Sequence, residues 1–439
     1  MPPNALPLLP LVLSATVTGG AGLAGRTQTA TVGTAPPDAA TTYRVEPDES
    51  VSPGRRVLQG VLFLPRVASN AVLWPLGQAI YVLEKNDVPG FLVDLFYNDS
   101  RTFGVYPTAF VETGFGLNVG ARAELRNVFD ENAHLGARAG YGGRFRQSYG
   151  ADLDTGTLLG RHFAFVAEGA YEDLPNERFF GLGPTPGTDL IRIQRRRSLG
   201  RAGFVVRPTD RLAFTASGVY SRSDVRNSID NPNADLAAFR PQVDLFYEEL
   251  RFTYDSRRSA ELVPAATPSE GLYVSGTFGA AQVTSDAPTQ YYRYSADAQY
   301  LIDVAYGTRV LVLRAYTEGV FGADDVPTID LPRLGGPQLL RGYRRDRFRD
   351  QNVVLGSVEY RYPLSAHFDA FLFVDGGRVF PRWSELDVDF WGLGFGGGLQ
   401  VHGMDSVVAR IQAGGSKDGD VVFNFVLSPD FERPPRSER

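Results

Sequence analysis

The side chains able to hold a metal ion or attack a carbonyl are few in this chain and poorly spaced for the work. Its histidines, His134, His162, His367 and His402, are scattered. None falls in an H-x-x-x-H or H-x-E spacing that would bring two onto one ion, so they read as polar residues of an interior wall or a rim. With no cysteine there is no thiolate metal site, no cysteine nucleophile and no disulfide framework. A Gly-x-Ser-x-Gly elbow is absent, which leaves serine-hydrolase chemistry without a candidate. The glycine-rich run Gly394-Phe395-Gly396-Gly397-Gly398 lies inside a predicted strand and not at a strand-to-helix turn, so it reads as a packing site, not a phosphate loop. The expectation is a protein without catalytic residues, metal or cofactor.

Composition narrows the class further. A net charge of −6 and a pI near 5.4 argue against nucleic acid as a partner, because phosphate binding needs a basic surface. Twenty Tyr, 29 Phe and 48 Gly form a bias that membrane barrels use for interfacial girdles and close strand packing. Residues 1–24 read as a signal peptide: Leu6 to Val17 is an apolar run of h-region length, and Gly22-Leu23-Ala24 offers a small-x-small cleavage site. No Lys or Arg precedes that run. Residues 25–55, rich in Thr, Ala, Pro, Asp and Glu, read as a disordered linker. Residues 56–100 place Val57, Leu58, Val61, Leu62, Leu64, Leu76, Ile80 and Leu83 at helical spacing, which predicts short amphipathic helices broken at the prolines and lying at an interface or a barrel mouth.

From about Arg101 the period becomes two. Leu117, Val119, Ala121, Ala123 and Leu125 share one face while Asn118, Arg122, Glu124 and Arg126 share the other. Tyr292, Tyr294, Ala296, Ala298 and Tyr300 likewise oppose Arg293, Ser295, Asp297 and Gln299. Outside the N-terminal run, no stretch reaches the apolar length of a spanning helix, so a membrane protein with this pattern must close its sheet. The fold class is all-β: a transmembrane antiparallel β-barrel of about sixteen strands over residues 101–431, preceded by a short, partly helical segment and followed by a polar tail at 432–439. Long connections at 174–191, 225–243 and 323–351 alternate with short turns, as outer loops and periplasmic turns do. The connection 257–270 is long where a turn is expected, and a hairpin at 143/144 has almost no room. Arg195-Arg196-Arg197 either meets anionic lipopolysaccharide near the outer rim or forms a solvated charge run.

Three motifs then follow in order. Gly335-Gly336-Pro337-Gln338-Leu339-Leu340-Arg341-Gly342-Tyr343 falls on the long connection, Ser357-Val358-Glu359-Tyr360-Arg361-Tyr362-Pro363-Leu364 on the next strand, and Phe373-Val374-Asp375-Gly376-Gly377 on the one after. Leu-Arg-Gly-Tyr resembles the [V/I]-R-G-[F/Y] motif on the sixth outer loop of the BamA/TamA surface-antigen superfamily of outer-membrane assembly factors. The second stretch resembles that family's twelfth strand, and the third its F-x-D-x-G thirteenth-strand motif. The resemblance covers roughly residues 101–431 and leaves out the family's polypeptide-transport-associated domains. It implies a loop folded back into the lumen and fastened there, with Arg341 held by Glu359 and Asp375, Gly342 at a tight bend and Tyr343 against the wall. Phe373 and Gly377 complete the motif. A guanidinium losing water needs such carboxylates; the alternative is one more solvated arginine beside Arg344, Arg345, Arg347 and Arg349. The last strand, Val421 to Leu427, is followed by Ser428-Pro429-Asp430-Phe431, with Phe431 as the candidate terminal aromatic.

Two functions fit a barrel of this kind. One assists insertion or translocation of proteins or lipids at the bacterial outer membrane, with client outer-membrane proteins, periplasmic accessory proteins, membrane lipid and lipopolysaccharide as partners. The other is a passive structural or porin-like transport barrel with an inward-folded loop. A soluble β-rich binding protein is the third possibility, and it predicts extraction without detergent.

Overall fold

The computed structural model describes residues 95–427 except 101, 114–115, 129–132, 157–161, 186–189, 259–267, 286, 305–308, 365–367 and 403–406. The signal-peptide run, the linker, nearly all of the 56–100 segment, Phe431 and the 432–439 tail lie outside the described residues.

Alternation of apolar and polar side chains, with Gly and turn residues between the runs, yields strands throughout. They are β1 (Phe103–Glu112), β2 (Gly116–Arg126), β3 (His134–Tyr141), β4 (Gln147–Asp154), β5 (Phe163–Phe179), β6 (Ile191–Thr209), β7 (Leu212–Asn227), β8 (Gln242–Asp255) and β9 (Gly271–Val283). Then come β10 (Thr289–Asp303), β11 (Val310–Phe321), two short strands β12 (Arg333–Leu334) and β13 (Phe348–Arg349), and β14 (Asn352–Pro363), β15 (Phe368–Phe380), β16 (Gly392–His402), β17 (Val407–Ser416) and β18 (Val421–Leu427). All but β12 and β13, which pair with each other, form one closed antiparallel barrel of sixteen strands. Closure leaves no open sheet edge, and β1 and β18 meet at the seam.

Burial is inverted relative to a water-soluble fold. Facing outward and exposed are Val105, Leu117, Val119, Phe204, Phe214, Leu250, Phe278, Tyr292, Leu313, Val358, Val374 and Phe395. Buried inside are Arg122, Glu124, Glu177, Arg195, Glu249, Arg293, Asp297, Glu318, Glu359 and Asp375. Lumenal charges pair across strands, as Arg314 does with Asp297 at 2.7 Å and Arg201 with Glu249 at 2.6 Å. Outward aromatics gather at two levels. Phe214 meets Phe252 near the end with mostly short turns, whereas Phe278, Tyr292 and Phe321 stack near the end with long loops. An apolar belt between aromatic girdles around a charged interior is the surface a bilayer requires.

Strand boundaries differ from the sequence reading in one place that matters. β5 continues to Phe179, past the expected end at 173, through a register shift between Leu174 and Glu177. The extension carries Glu177 into the lumen, where Arg195 and Arg333 bond it. At the crowded hairpin, β3 ends at Tyr141 and β4 begins at Gln147, so Gly142 to Arg146 make the turn with a Gly142 N–H to Arg146 carbonyl bond. The long connection after β8 is closed at its base by an Arg258–Glu270 bridge.

Candidate functional site

The connection between β11 and β14, residues 322–351, does not project from the barrel; it folds inward. Its apolar side chains Leu334, Leu339, Leu340, Tyr343 and Phe348 form one buried cluster with Tyr316, Val353, Leu355 and Val379 of the wall. Val326 and Leu331 join a second cluster with Val243, Leu245, Val283 and Tyr291. Burying apolar loop surface against the wall offsets the entropy of ordering so long a segment.

Arg341 is the polar centre of this contact. Ser357 of β14 stands opposite Asp375 of β15, and Glu359 opposite Phe373. The period of two turns all four inward. Arg341 Nε donates to Asp375 Oδ2 at 2.9 Å and its second terminal nitrogen to Asp375 Oδ1 at 2.8 Å, a bidentate fork. Its backbone N–H also donates to Asp375 at 2.8 Å, the same terminal nitrogen reaches Ser357 Oγ at 2.9 Å, and the other bonds Glu359. The guanidinium carbon lies 3.9 Å from the centroid of the Phe373 ring, which supports it as a cation–π platform. Arg341, Glu359 and Asp375 are 7%, 6% and 1% exposed, so the ions have left water together. Burial opposes the charge on Arg341, but the two carboxylates outweigh it and hold the guanidinium pKa above its ordinary value.

The backbone at this point touches the wall because the wall is bare. Gly342 has φ +100, and a methyl there would run into the Gly415 carbonyl; one on Gly394 would run into the Arg341 carbonyl. Gly377 faces the loop too, with a Cβ position 3.1 Å from Leu334. Tyr343, 1% exposed, packs edge-on against Phe348 and donates its hydroxyl to Asp418 at 2.8 Å.

All seven residues of the motif reading therefore lie on this loop or in the wall it contacts, and Arg341, Glu359, Phe373 and Asp375 meet directly. The sequence reading missed Ser357, Arg361 and Arg410; the last two hold Glu359 at 2.8 and 3.1 Å. Ser357 and Arg361 were legible as inward neighbours of Glu359 by parity, whereas Arg410 lies three strands on and carried no local signal. Of the arginine run, Arg195 is buried in the lumen against Glu177 and Arg197 shares its inward parity, whereas Arg196 pairs with Asp173 at 3.1 Å. The run is thus largely internal and not a rim patch. His134 lies between Asp152 (3.1 Å) and Glu124 (3.8 Å) on the inner wall, and His162 Nδ1 is 2.7 Å from the Arg207 carbonyl. His367 and the His402 side chain lie outside the described residues.

At the seam, the described pairs of β1 with β18 run from Ala109–Leu427 to Glu112–Asn424, extended by a Thr113 N–H to Phe423 carbonyl bond of 3.0 Å. On its other side β1 pairs with β2 along its whole length, from Phe103 to Glu112. At the other end of β1, Gly104 forms an isolated antiparallel bridge with Tyr97, and the Asn98 N–H donates to the Phe103 carbonyl at 2.9 Å.

Comparison with known proteins follows the same lines. The Omp85 superfamily domain matches residues 127–404, a span that includes the inward loop and its partners on β14 and β15. BamA from Haemophilus ducreyi, in a structure lacking POTRA domains 1-3, is 13% identical with a TM-score of 0.54, over 74% of this chain and 70% of that one. CdiB from Escherichia coli is 12% identical with a TM-score of 0.51, over 74% of this chain and 62% of that one. No curated protein sequence matches.

Proposed function

Because the chain belongs to the Omp85 superfamily, we propose that it resides in the bacterial outer membrane and assists insertion or translocation of proteins or lipids there, through its β1–β18 seam. The observation that carries this reading is the inward loop fastened at Arg341 to β14 and β15, inside the span that the Omp85 superfamily domain matches. Unpaired backbone N–H and C=O groups are costly at bilayer depth, and a strand edge with free ladder positions invites a further strand. Opening the β1–β18 pairs from Ala109–Leu427 to Glu112–Asn424 exposes such an edge to an incoming client strand or displaced lipid, and these pairs keep the barrel closed at rest. The inward loop, fastened at Arg341, holds the neighbouring wall in place during that exchange. Client outer-membrane proteins and periplasmic accessory proteins are the partners this role requires.

The test is a disulfide across the seam. Val111 and Phe425 stand opposite each other, and antiparallel Cα separations of about 4.5–5.5 Å suit a disulfide. Val111→Cys with Phe425→Cys, in a chain with no other cysteine, should lower the yield of other folded outer-membrane barrels in oxidised cells and recover on reduction. A passive porin-like barrel predicts no difference between the two states.

A further inference from the structure

The loop reaches beyond β14 and β15. Three consecutive residues carry it across the seam: Tyr343 donates to Asp418 in the β17–β18 connection at 2.8 Å, Arg344 lies 3.9 Å from Asp420 of that connection, and Arg345 reaches β1. Arg345 Nε is 2.9 Å and a terminal nitrogen 2.8 Å from Glu112 Oε2. Its guanidinium carbon lies 5.5 Å from the Phe110 ring centroid, one turn of the pleat along β1. Glu112 is the last residue of β1, its side chain is 1% exposed, and it pairs in register with Asn424 of β18. A carboxylate so buried needs its cation.

We propose that Arg345 and Glu112 form a latch that fastens β1 to the inward loop at the loop end of the seam and holds the β1–β18 pairs there closed. The wall on the other side of the seam is held by Tyr343 and the Arg341 cluster. The loop is therefore a strap anchored on both sides of the seam. At Glu112 the backbone ladder, the strap and the Thr113–Phe423 bond coincide. This deepens the proposed role of the seam and gives Arg345 a positioning function distinct from that of Arg341.

Hydrogen exchange of the purified full-length chain in detergent, read by mass spectrometry, tests the latch without any client. Arg345→Gln and Glu112→Gln should each speed exchange at Val111–Thr113 and Val421–Phe423 by about fivefold, the scale of one half-exposed ion pair. The double variant should be no faster than the faster single one, because both remove the same contact. Exchange in the β9–β10 hairpin should stay unchanged, as should thiol labelling at Leu339→Cys, which reports the Arg341 end of the loop. Wild-type exchange at the seam, additive single effects, or equal acceleration in β9–β10 would overturn the proposal. Glu112→Gln failing to fold leaves Arg345→Gln, whose side chain is 40% exposed, to decide against the β9–β10 control. Because no client enters, failure here leaves the disulfide experiment intact, and failure of that experiment leaves the latch intact.

Discussion

Replacing Arg341 by Ala should release the inward loop while leaving the barrel closed. The magnitude follows from what each carboxylate keeps. Glu359 retains Arg361 and Arg410, so its charge stays compensated. Asp375 retains only the Ser357 hydroxyl at 2.7 Å among the described residues, and it is 1% exposed. The loss therefore concentrates on Asp375: an uncompensated buried charge costs about 3–5 kcal/mol, plus the cation–π contact with Phe373. Relative to the docked loop, the undocked state gains about 10²- to 10³-fold in population. A single cysteine at Leu339, buried in the docked loop, reports this through its maleimide-labelling rate. In the Arg341→Ala background that rate should rise by about two orders of magnitude. Protease should cut within 322–351, and the gel mobility shift on heating should weaken. Labelling at the wild-type rate, with the loop still protected, would refute the argument that paired charges hold it. Arg341→Lys should fall between the two, because it keeps the charge but not the fork or the stacked plane.

Other consequences separate the parts of the site. Glu359→Gln should lower the thermal unfolding midpoint of the barrel more than Asp375→Asn, since Glu359 compensates Arg341, Arg361 and Arg410 whereas Asp375 serves Arg341; thermal melts followed by gel mobility compare them. Gly394→Ala should speed Leu339→Cys labelling about tenfold or more, because the added methyl meets the Arg341 carbonyl, an overpacking cost of about 1–3 kcal/mol. Gly356→Ala, with open space around the position, should leave that rate unchanged. Leu250→Arg, on the outward face at 65% exposure, should reduce folding stability in lipid vesicles by about 2–4 kcal/mol, measured by urea titration.

The sequence made the wall legible because one face of every strand meets lipid and the other a charged lumen, so parity alone sorts residues such as Val119 from Arg122 and Val358 from Glu359. The Arg341 neighbourhood was legible for a related reason: the loop motif and its two acids lie within about forty residues along successive elements, so order along the chain substitutes for distance. Contacts closing the ring were not. Glu112 and Arg345 are 233 positions apart, and nothing local marks either as a partner; Arg345 reads as one of several loop arginines. The extension of β5 to Phe179 was missed because a register shift breaks the alternation at Leu174–Glu177, and because the acid that justifies it finds its arginines on β6 and the loop. The arginine run misled for the converse reason: three like charges in a row look solvated until strand parity sends two of them inward.

A lipid-facing barrel is stable only in a membrane or in detergent. Cell fractionation followed by gel electrophoresis with and without heating addresses that directly. The full-length chain should remain with the outer-membrane fraction until detergent extracts it, and the extracted protein should migrate faster unheated than boiled. A folded monomer recovered in buffer without detergent would contradict the lipid-facing barrel and everything built on it.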